Sequence, residues 1–475
     1  MYISDLSLHN FRCFDGDYNF KFTKGMNYLV GNNNSGKTTV FKAVDFLFHG
    51  SSIDNLKSIG LENEELYVQA TLSELDEKSI RSDKALAKLS SYIDDSAIII
   101  KRSSEMTEGT KGVKSLLILN PNTSSFETFT GIDKAISNLF DTVLIYSDLK
   151  NDEYQDFSKT KTIGKLINAI LQNFTQKPEW AQLKHAHEIA FGETGIKGDL
   201  SSLASEIESV ISSQYGDTEV TFDFDLPPVD AFLKNGKLLA SDNGVQTEVS
   251  EKGTGMQRAI ALALIQVYSE RSTASSAKPI IFFVDEPETY LHPQAQDNML
   301  SSFDSIADNN QLFITTHSPY LLRSFNSDKH KLIVFCRENN RISTRDEVAF
   351  ALFPYSPTWG EINYKAFGIA SVEFHIELFG LLHEKLKSNQ QAGVGPSIKS
   401  VDEWLSKQPN VKPTDSNHRN IPPKGSKADK TMTVYIRNYF DHPGDDPNPS
   451  VTRQKPTMSE ISDSIDFMLS LIPTI

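Results

Sequence analysis

The sequence is poor in cysteine, in long apolar runs and in positive charge. Its 475 residues contain two cysteines, Cys13 and Cys336, which form no C-x-x-C pair, so neither a zinc site nor a disulfide framework is expected. No apolar run approaches the roughly 18–20 residues of a membrane-spanning helix, and strand-like sequence begins at once, without a signal peptide. We therefore expect a cytoplasmic protein that does not associate with a membrane. A formal net charge of −15 argues against a uniformly basic nucleic-acid wrapper, although a local basic groove remains compatible with it.

What is present instead is a glycine-rich segment between strand-like and helix-like sequence. It consists of Gly31, Asn32, Asn33, Asn34, Ser35, Gly36, Lys37, Thr38 and Thr39. The spacing fits G-x-x-x-x-G-K-[ST], in which glycines let backbone N–H groups surround a polyphosphate, the lysine reaches the terminal phosphates, and a hydroxyl, here that of Thr38, holds Mg²⁺. The alternative is a plain turn. The strand before the segment and the helix after it favour a phosphate-binding loop, with ATP and Mg²⁺ as its ligands.

Two further apolar strand patterns end in polar groups that suit ATP hydrolysis. Residues 279–284 lead into Asp285 and Glu286, and residues 311–316 lead into His317. Parallel α/β sheets bind ligands at the carboxyl ends of their strands, so we expect Asp285 to hold Mg²⁺, Glu286 to polarise the attacking water and His317 to reach the γ-phosphate. The predicted catalytic residues are thus Lys37, Glu286 and His317. An acidic turn and an ordinary loop histidine are the alternatives.

Another glycine-containing segment precedes the acidic strand. Ser250, Gly253 and Gly255 lie just before the helix-like stretch 259–268, where backbone N–H groups and the helix dipole can meet an anion. Glycine-rich helix starts are common, but in this order the segment resembles the signature segment of ABC-type ATPases, which completes the nucleotide site of a second subunit. The resemblance to the ABC/SMC class implies that ATP holds two heads together, in a dimer or a higher homo-oligomer.

A narrower resemblance rests on four motifs. They are Leu6-Ser7-Leu8-His9-Asn10-Phe11-Arg12-Cys13-Phe14, the asparagine-rich loop, Asp285-Glu286-Pro287-Glu288 with Leu291-His292-Pro293, and Thr315-Thr316-His317-Ser318-Pro319. They cover roughly residues 1–345 and resemble the OLD/RecF-like branch of these ATPases. The chain departs from the wider class in its Lys252-Gly253-Thr254-Gly255 signature and in its Q-loop, for which Gln155 is only a candidate. The absence of a C-x-x-C hook and of long heptad arms argues against a chromosome-scale tether.

The length of the chain and its changes in pattern predict several domains. We expect an N-terminal lobe of the ATPase head at 1–157, a helical insertion at 158–216, a C-terminal lobe of the head at 217–345, where the sheet resumes with 219–224, and a helical region at 346–475. The predicted fold class is α/β, an ABC-type P-loop ATPase head with a mixed sheet, a short helical insertion and a C-terminal all-α bundle. Lysines in 159–165 and 177–184 could contact nucleic acid, although a solvated helix face explains them more simply.

The C-terminal region carries a motif of its own. Residues 364–386 have the apolar density of a packed helix, and 431–440 and 460–471 are further predicted helices. Within the second of these, Arg437-Asn438-Tyr439-Phe440-Asp441-His442 matches R-N-x-x-x-H and resembles the pattern of HEPN ribonuclease domains, whose bundles pair. In such a site Arg437 would stabilise the charge of the pentacovalent phosphate, and His442 would handle the proton on the 2′-oxygen or the leaving group. The alternative is an Arg/His pair that packs or binds a partner chain.

Three functions fit these patterns. In the first, an ATP switch controls the chain's own HEPN-like nuclease, similar in plan to ABC-type anticodon nucleases. In the second, it controls a separate nuclease partner, as in the Septu- and PARIS-like anti-phage systems. In the third, the chain is a RecF-like ATPase that binds DNA ends or acts in repair. All three share heads that clamp ATP and are reset by hydrolysis at Glu286. A TOPRIM nuclease is disfavoured, since no clear set of acidic strand ends follows His317.

Overall fold

A computed structural model of the chain shows strands and helices in alternation, followed by helices alone. It describes residues 1–50, 52–53, 55–104, 115–145, 164, 167, 171, 174–216, 218–234, 236–242, 244–272, 278–289, 291, 293–323, 325–338, 341–346, 350–388, 395, 397–412, 430–442 and 454–474. By their contacts the residues divide into two compact units, Met1–Leu139 with Gln311–Ile475, and Phe140–Asn310. The domain boundaries predicted above at residues 158, 217 and 346 stay predictions.

The strands and helices have the following bounds. The strands are β1 (Tyr2–Phe11), β2 (Phe14–Lys21), β3 (Met26–Gly31), β4 (Tyr67–Ser73), β5 (Ile98–Ser103), β6 (Leu116–Asn120), β7 (Ser125–Glu127), β8 (Asp141–Ile145), β9 (Leu239–Asp242), β10 (Val245–Glu248), β11 (Ile280–Asp285), β12 (Gln311–Thr316), β13 (His330–Glu338) and β14 (Arg341–Asp346). The α-helices are α1 (Lys37–His49), α2 (Glu77–Ser82), α3 (Ile132–Leu139), α4 (Pro178–Phe191), α5 (Ile196–Asp199), α6 (Ser201–Tyr215), α7 (Val229–Leu233), α8 (Thr254–Ser272), α9 (Pro293–Ala307), α10 (Trp359–Phe367), α11 (Val372–Ser388), α12 (Ile398–Leu405), α13 (Met432–Asp441) and α14 (Met458–Leu471). Short 3-10 helices occupy Ala87–Tyr92, Phe174–Gln176, Val249–Glu251, Pro319–Leu322 and Ile472–Thr474.

The first unit contains strands of two kinds. One set forms an antiparallel sheet in the order β2-β1-β4-β5-β6-β7. In β4 buried and half-buried residues alternate, as in a sheet with one face on a core. In the other set β3 lies between β12 and β13 and runs parallel to both, while β14 is antiparallel to β13. Every residue of β3 and β12 is buried, the pattern of parallel strands covered on both faces.

The C-terminal helices of the first unit share one apolar core. Phe374, Leu378 and Leu382 form a stripe at four-residue spacing on α11 and pack with Val434 of α13 and Ile465 of α14. The helix starts are fixed by hydroxyl caps, in which the side chains of Thr358, Ser397, Thr431 and Thr457 each accept a backbone N–H. Between 350 and 474 the described residues contain no β-strand. The predicted α/β class with a C-terminal helical region is therefore confirmed.

Two local predictions were wrong. The single helix predicted for 364–386 is two helices, α10 and α11, because Gly368 takes a left-handed conformation with φ of 68° and ends α10. The pair bends by 113°; no single helix among the described residues has the length and apolarity to span a membrane, and only this bent pair meets that test jointly. Residues 219–224 form no strand, although their apolar residues alternate. Alternation makes a strand only where a neighbouring strand pairs with it.

The second unit combines a parallel strand pair, a hairpin and helices. β11 pairs in parallel with β8, and β9 pairs with β10 in an antiparallel hairpin. α8 and α9 contact each other. The described residues from 174 to 216 are mainly helical, as predicted for this stretch, while its assignment as an insertion stays a prediction. α4 buries none of its residues. Its contacts are made by aromatic rings at the surface, where Trp180 lies against Phe174 and Phe232.

Candidate functional site

The phosphate-binding loop predicted from the sequence lies between β3 and α1 in the first unit. Gly31 has φ of 148° and Gly36 has φ of 99°, a region of backbone space that favours glycine. A Cβ at Gly31 would lie 2.2 Å from the carbonyl oxygen of Phe335 on β13, and one at Gly36 would lie 2.8 Å from Cδ1 of Ile342 on β14. The loop therefore approaches the neighbouring strands more closely than any side chain would allow.

Lys37 is held by the loop itself. It is the first residue of α1, and its side chain is buried. Nζ donates hydrogen bonds to the carbonyl oxygens of Gly31 at 2.8 Å and Asn32 at 2.9 Å. A buried ammonium group needs such partners, because its removal from water is costly. The positive charge thus lies within the loop, beside a helix N-terminus that also favours an anion.

The residues of the loop suit a nucleoside triphosphate with Mg²⁺. Ser35 Oγ is buried and has no hydrogen-bond partner within the described part of the chain. Leaving a buried hydroxyl unpaired costs about 1–3 kcal/mol, which a bound oxygen that accepted its hydrogen bond would offset. Thr38, at the start of α1, supplies the kind of oxygen ligand that Mg²⁺ prefers.

β12 brings His317 to the same sheet edge as the loop. β12 pairs with β3 in parallel, with Thr316 opposite Val30. His317 and Gly31 are the residues that follow these two in sequence. All of β12 is buried, whereas His317 is exposed. Thr316 Oγ1 accepts a hydrogen bond from the backbone N–H of Ser318 at 2.9 Å, which closes a turn around the histidine. The register therefore places the predicted γ-phosphate sensor beside the predicted phosphate loop.

The acidic strand end belongs to the second unit. β11 pairs with β8, with Val284 opposite Ile145, and is buried through Asp285. Glu286 has φ of 44°, an uncommon conformation for a residue with a side chain. Such backbone strain costs on the order of 1–3 kcal/mol and is often found at functional sites. The carbonyl oxygen of Glu286 accepts the N–H of Thr289 at 3.1 Å, so a tight turn maintains this conformation.

The predicted signature segment is braced from within the second unit. Ser250 lies in a 3-10 turn, Gly253 precedes α8, and Gly255 lies in the first turn of α8. The side-chain amide of Gln257 donates hydrogen bonds to the carbonyl oxygens of Ser250 at 3.0 Å and Lys252 at 2.6 Å. Gly253 is exposed, and a Cβ there would meet nothing within 4 Å. The backbone directly before α8 is therefore accessible at Gly253.

Arg258 joins this helix to the acidic strand end, a role that sequence reasoning missed. Its side chain is buried, and Nη2 donates a hydrogen bond to the carbonyl oxygen of Asp285 at 2.6 Å. Nη1 approaches the carbonyl oxygen of Thr289 at 3.4 Å. The signal was present in the sequence, because Gln257 and Arg258 are polar residues directly before the apolar run 259–265 of this helix. A charge in that position needs buried hydrogen-bond partners.

The predicted nuclease pair lies at the end of α13. Arg437 Nη2 is 2.7 Å from the carboxylate of Asp441, one helical turn away, and Nη1 donates to Asn438 Oδ1 at 2.9 Å. His442 is the exposed residue that follows the helix. The local ion pair compensates the charge of Arg437. Its role and that of His442 stay predictions.

Some of the other predicted positions are described by the structure, and others are not. Gln155 and the lysines within 159–165 lie outside the described residues. The lysines within 177–184 are exposed on and beside α4, as a solvated face would require. Among the described residues no group of three or more His, Cys, Asp or Glu side chains gathers as a metal site.

Comparisons with known proteins agree with a nucleotide site. A family model described as an AAA ATPase domain matches residues 1–189 and 77–322. The Old nuclease of Escherichia phage P2 is 29% identical over 341 residues, which cover 68% of this chain and 57% of that protein. The Retron Vc95 probable ATPase of Vibrio cholerae serotype O1 biovar El Tor is 20% identical over 394 residues, 70% of this chain and 73% of that protein.

Two further similarities are shorter or weaker. The DNA replication and repair protein RecF of Francisella tularensis subsp. novicida is 44% identical, but only over 52 residues, 11% of this chain and 15% of RecF. Among solved structures, an Smc head bound to the C-winged helix domain of ScpA is 14% identical, covering 73% of this chain and 98% of that chain with a TM-score of 0.45. The chain thus spans little more than half of the length of the phage nuclease that it matches.

Proposed function

Since the chain belongs to the AAA ATPase domain family, we propose that it binds and hydrolyses ATP as an OLD-type ATPase and acts as a nucleotide-gated switch in anti-phage defence. The observation that carries the first part is the phosphate loop, in which the buried ammonium group of Lys37 is hydrogen-bonded to Gly31 and Asn32 between two left-handed glycines. The defence role is supported by similarity to a phage nuclease and to a retron ATPase.

Each predicted site residue has a role in this proposal. Lys37 and the backbone N–H groups of residues 31–36 bind the phosphates, together with the side chains of Thr38 and Thr39. Glu286 accepts a proton from the attacking water, and His317 donates a hydrogen bond to the γ-phosphate. Thr38 and Asp285 would hold Mg²⁺, which neutralises part of the phosphate charge when bound. In a pair of heads, Ser250, Gly253 and Gly255 of one copy meet the nucleotide of the other.

The switch is proposed to control a nuclease. One candidate is the chain's own C-terminal region, through Arg437 and His442 in a HEPN-like arrangement; the other is a separate nuclease partner, as in Septu- and PARIS-like systems. The short similarity to RecF favours a second candidate function, that of an ATPase that binds DNA ends or acts in repair.

The ATPase part is tested by substitutions at the loop and at the strained glutamate. Lys37→Ala should abolish ATP binding in calorimetry, whereas Lys42→Ala, on the same helix, should leave it intact. Glu286→Gln should still bind ATP but lower turnover by about 100-fold or more, because the general base is lost. Glu179→Gln, at an exposed position on α4, is the matched control. Normal turnover in Glu286→Gln would remove that residue from catalysis, and normal ATP affinity in Lys37→Ala would rule out the loop.

The effector is tested separately with purified protein and RNA. If the protein cleaves RNA and Arg437→Ala and His442→Ala both stop cleavage at unchanged ATP turnover, the nuclease lies in this chain. His383→Ala, on α11, controls for the loss of a histidine from the helical region. If the wild type never cuts RNA, the partner hypothesis gains. ATP turnover that rises on addition of DNA ends would favour the RecF-like function.

A further inference from the structure

The segment after His317 is fastened to the first C-terminal helix through an indole ring. Trp359 Nε1 donates a hydrogen bond of 2.9 Å to the carbonyl oxygen of Pro319, two residues beyond His317. Pro319 opens the 3-10 helix Pro319–Leu322, whose Leu321 and Leu322 are buried. The His317 turn is therefore fixed on one side by the hydrogen bond between Thr316 and Ser318 and on the other by Trp359.

Arg323 restrains the ring that makes this contact. Its guanidinium carbon is 5.3 Å from the ring centroid of Tyr320 and 5.7 Å from that of Trp359. The two rings themselves lie 6.2 Å apart. A guanidinium cation over the face of an aromatic ring is attracted to it, and here this cation–π contact links Trp359 of α10 to Tyr320 and Arg323 of the segment that follows His317. A displacement of that segment would therefore displace the indole.

The start of α10, where Trp359 lies, contacts the helical core. It is the first residue of α10, and the cap residue before it, Thr358, donates a hydrogen bond of 2.7 Å to Glu377 Oε2 on α11. A Cβ at Gly360 would lie 2.9 Å from Cα of Phe374, so the two helices touch backbone to backbone at this point. Phe374 belongs to the core shared by the C-terminal helices. Rigid contacts thus run without interruption from the His317 turn to that core.

We propose that Trp359 is a positioning residue for His317 and that it transmits the nucleotide state to the C-terminal helices, an inference that rests on the proposed ATPase function. When His317 contacts a γ-phosphate, the turn around it is restrained, and the hydrogen bond from Trp359 to Pro319 passes that restraint to α10 and α11. Coupling between distant sites requires a continuous physical connection of this kind, and its existence is established only by measurement.

The first test removes one hydrogen bond. Trp359→Phe keeps an aromatic ring for Arg323 but lacks the indole N–H. We expect kcat for ATP to fall about tenfold, since small misplacements of a catalytic group have large effects on rate, while KM changes less than about twofold. Trp404→Phe, in the same helical region, controls for the loss of a tryptophan and should leave kcat unchanged. A lower thermal midpoint in Trp359→Phe with normal kcat would mean a purely structural role and overturn the proposal.

The second test makes Trp359 its own reporter. The chain has three tryptophans, Trp180, Trp359 and Trp404, so a Trp180→Phe/Trp404→Phe variant emits only from Trp359. In that variant, combined with Glu286→Gln, ATP should shift the emission, and a further Lys37→Ala change should abolish the shift. Unchanged emission while calorimetry shows bound ATP would overturn the role of Trp359 and leave the ATPase function standing. No ATP binding by the wild type would overturn both.

Discussion

The strand ends and the C-terminal helices both place polar side chains next to buried apolar residues, but they arrange them in opposite ways. At the ends of β3 and β12 the candidate site residues lie just outside the buried strand, with Lys37 at the start of α1 and His317 exposed. In the helices a polar group lies at the centre of the core. His375 is completely buried, and its Nε2 is 3.0 Å from Ser464 Oγ, which is 2.8 Å from Thr433 Oγ1.

The two regions also differ in the contacts that their buried polar groups make. The loop has an unpaired buried hydroxyl, Ser35 Oγ, and glycines whose backbone approaches β13 and β14 too closely for a side chain. The helical core instead connects its hydroxyl groups to one another and to an imidazole. Hydrogen bonds among buried side chains of this kind specify packing, and His375 Nδ1 is the one polar atom of these three side chains without a hydrogen-bond partner in the described part of the chain.

The contrast is tested most strongly by adding one methyl group to a glycine in each region. Gly31→Ala should lower the free energy of unfolding by about 3–5 kcal/mol, because its Cβ would collide with a backbone oxygen at 2.2 Å and the residue has a left-handed φ. Gly380→Ala, within α11 and with nothing within 4 Å of the new Cβ, should raise it by up to about 1 kcal/mol. Urea unfolding measures both values.

A third glycine separates the two contributions at Gly31. Gly131 also has a left-handed φ, of 91°, but a Cβ there would meet nothing within 4 Å. Gly131→Ala should therefore cost only the backbone strain, on the order of 1–2 kcal/mol. Equal losses for Gly31→Ala and Gly131→Ala would show that close approach to β13 is not what requires glycine in the loop.

Local patterns predicted the strands and the helix starts that carry the candidate site, and long-range contacts explain what they could not predict. Each of these patterns involves only a few neighbouring residues. They are the spacing of Gly31, Gly36 and Lys37 and the apolar strands before Asp285 and His317. The same holds for α13, predicted at 431–440 and found at Met432–Asp441.

The missed features depend on residues far apart in the chain. Arg258 contacts Asp285, 27 residues away, and Trp359 contacts Pro319, 40 residues away. No local sequence pattern indicates the partner of either residue, because the contact forms only when distant elements of the fold pack together. The break at Gly368 was missed for a different reason, since one left-handed glycine outweighs the apolar periodicity on both sides of it. Periodicity describes which face is buried, not where the helix ends.

The last prediction concerns the effect of low pH on the stability of the helical core. Burial lowers the pKa of His375 from its ordinary 6.5 to about 4. Between these two pH values the unfolded chain binds a proton that the folded chain excludes, so the free energy of unfolding should fall as the pH drops from 6.5 toward 4. The loss attributable to this one residue is about 3 kcal/mol at the acid end of that window.

The His375→Leu variant isolates this contribution, because it removes the titrating group while keeping an apolar side chain in the core. Its starting stability can differ from that of the wild type, since Ser464 loses a hydrogen-bond partner, but only the slope against pH matters. We expect the free energy of unfolding, measured in urea between pH 7 and pH 4, to change less with pH in the variant than in the wild type. His383→Leu, at a partly exposed position on α11, should keep the wild-type slope. Equal slopes in His375→Leu and the wild type would mean that water reaches the imidazole and that burial does not lower its pKa.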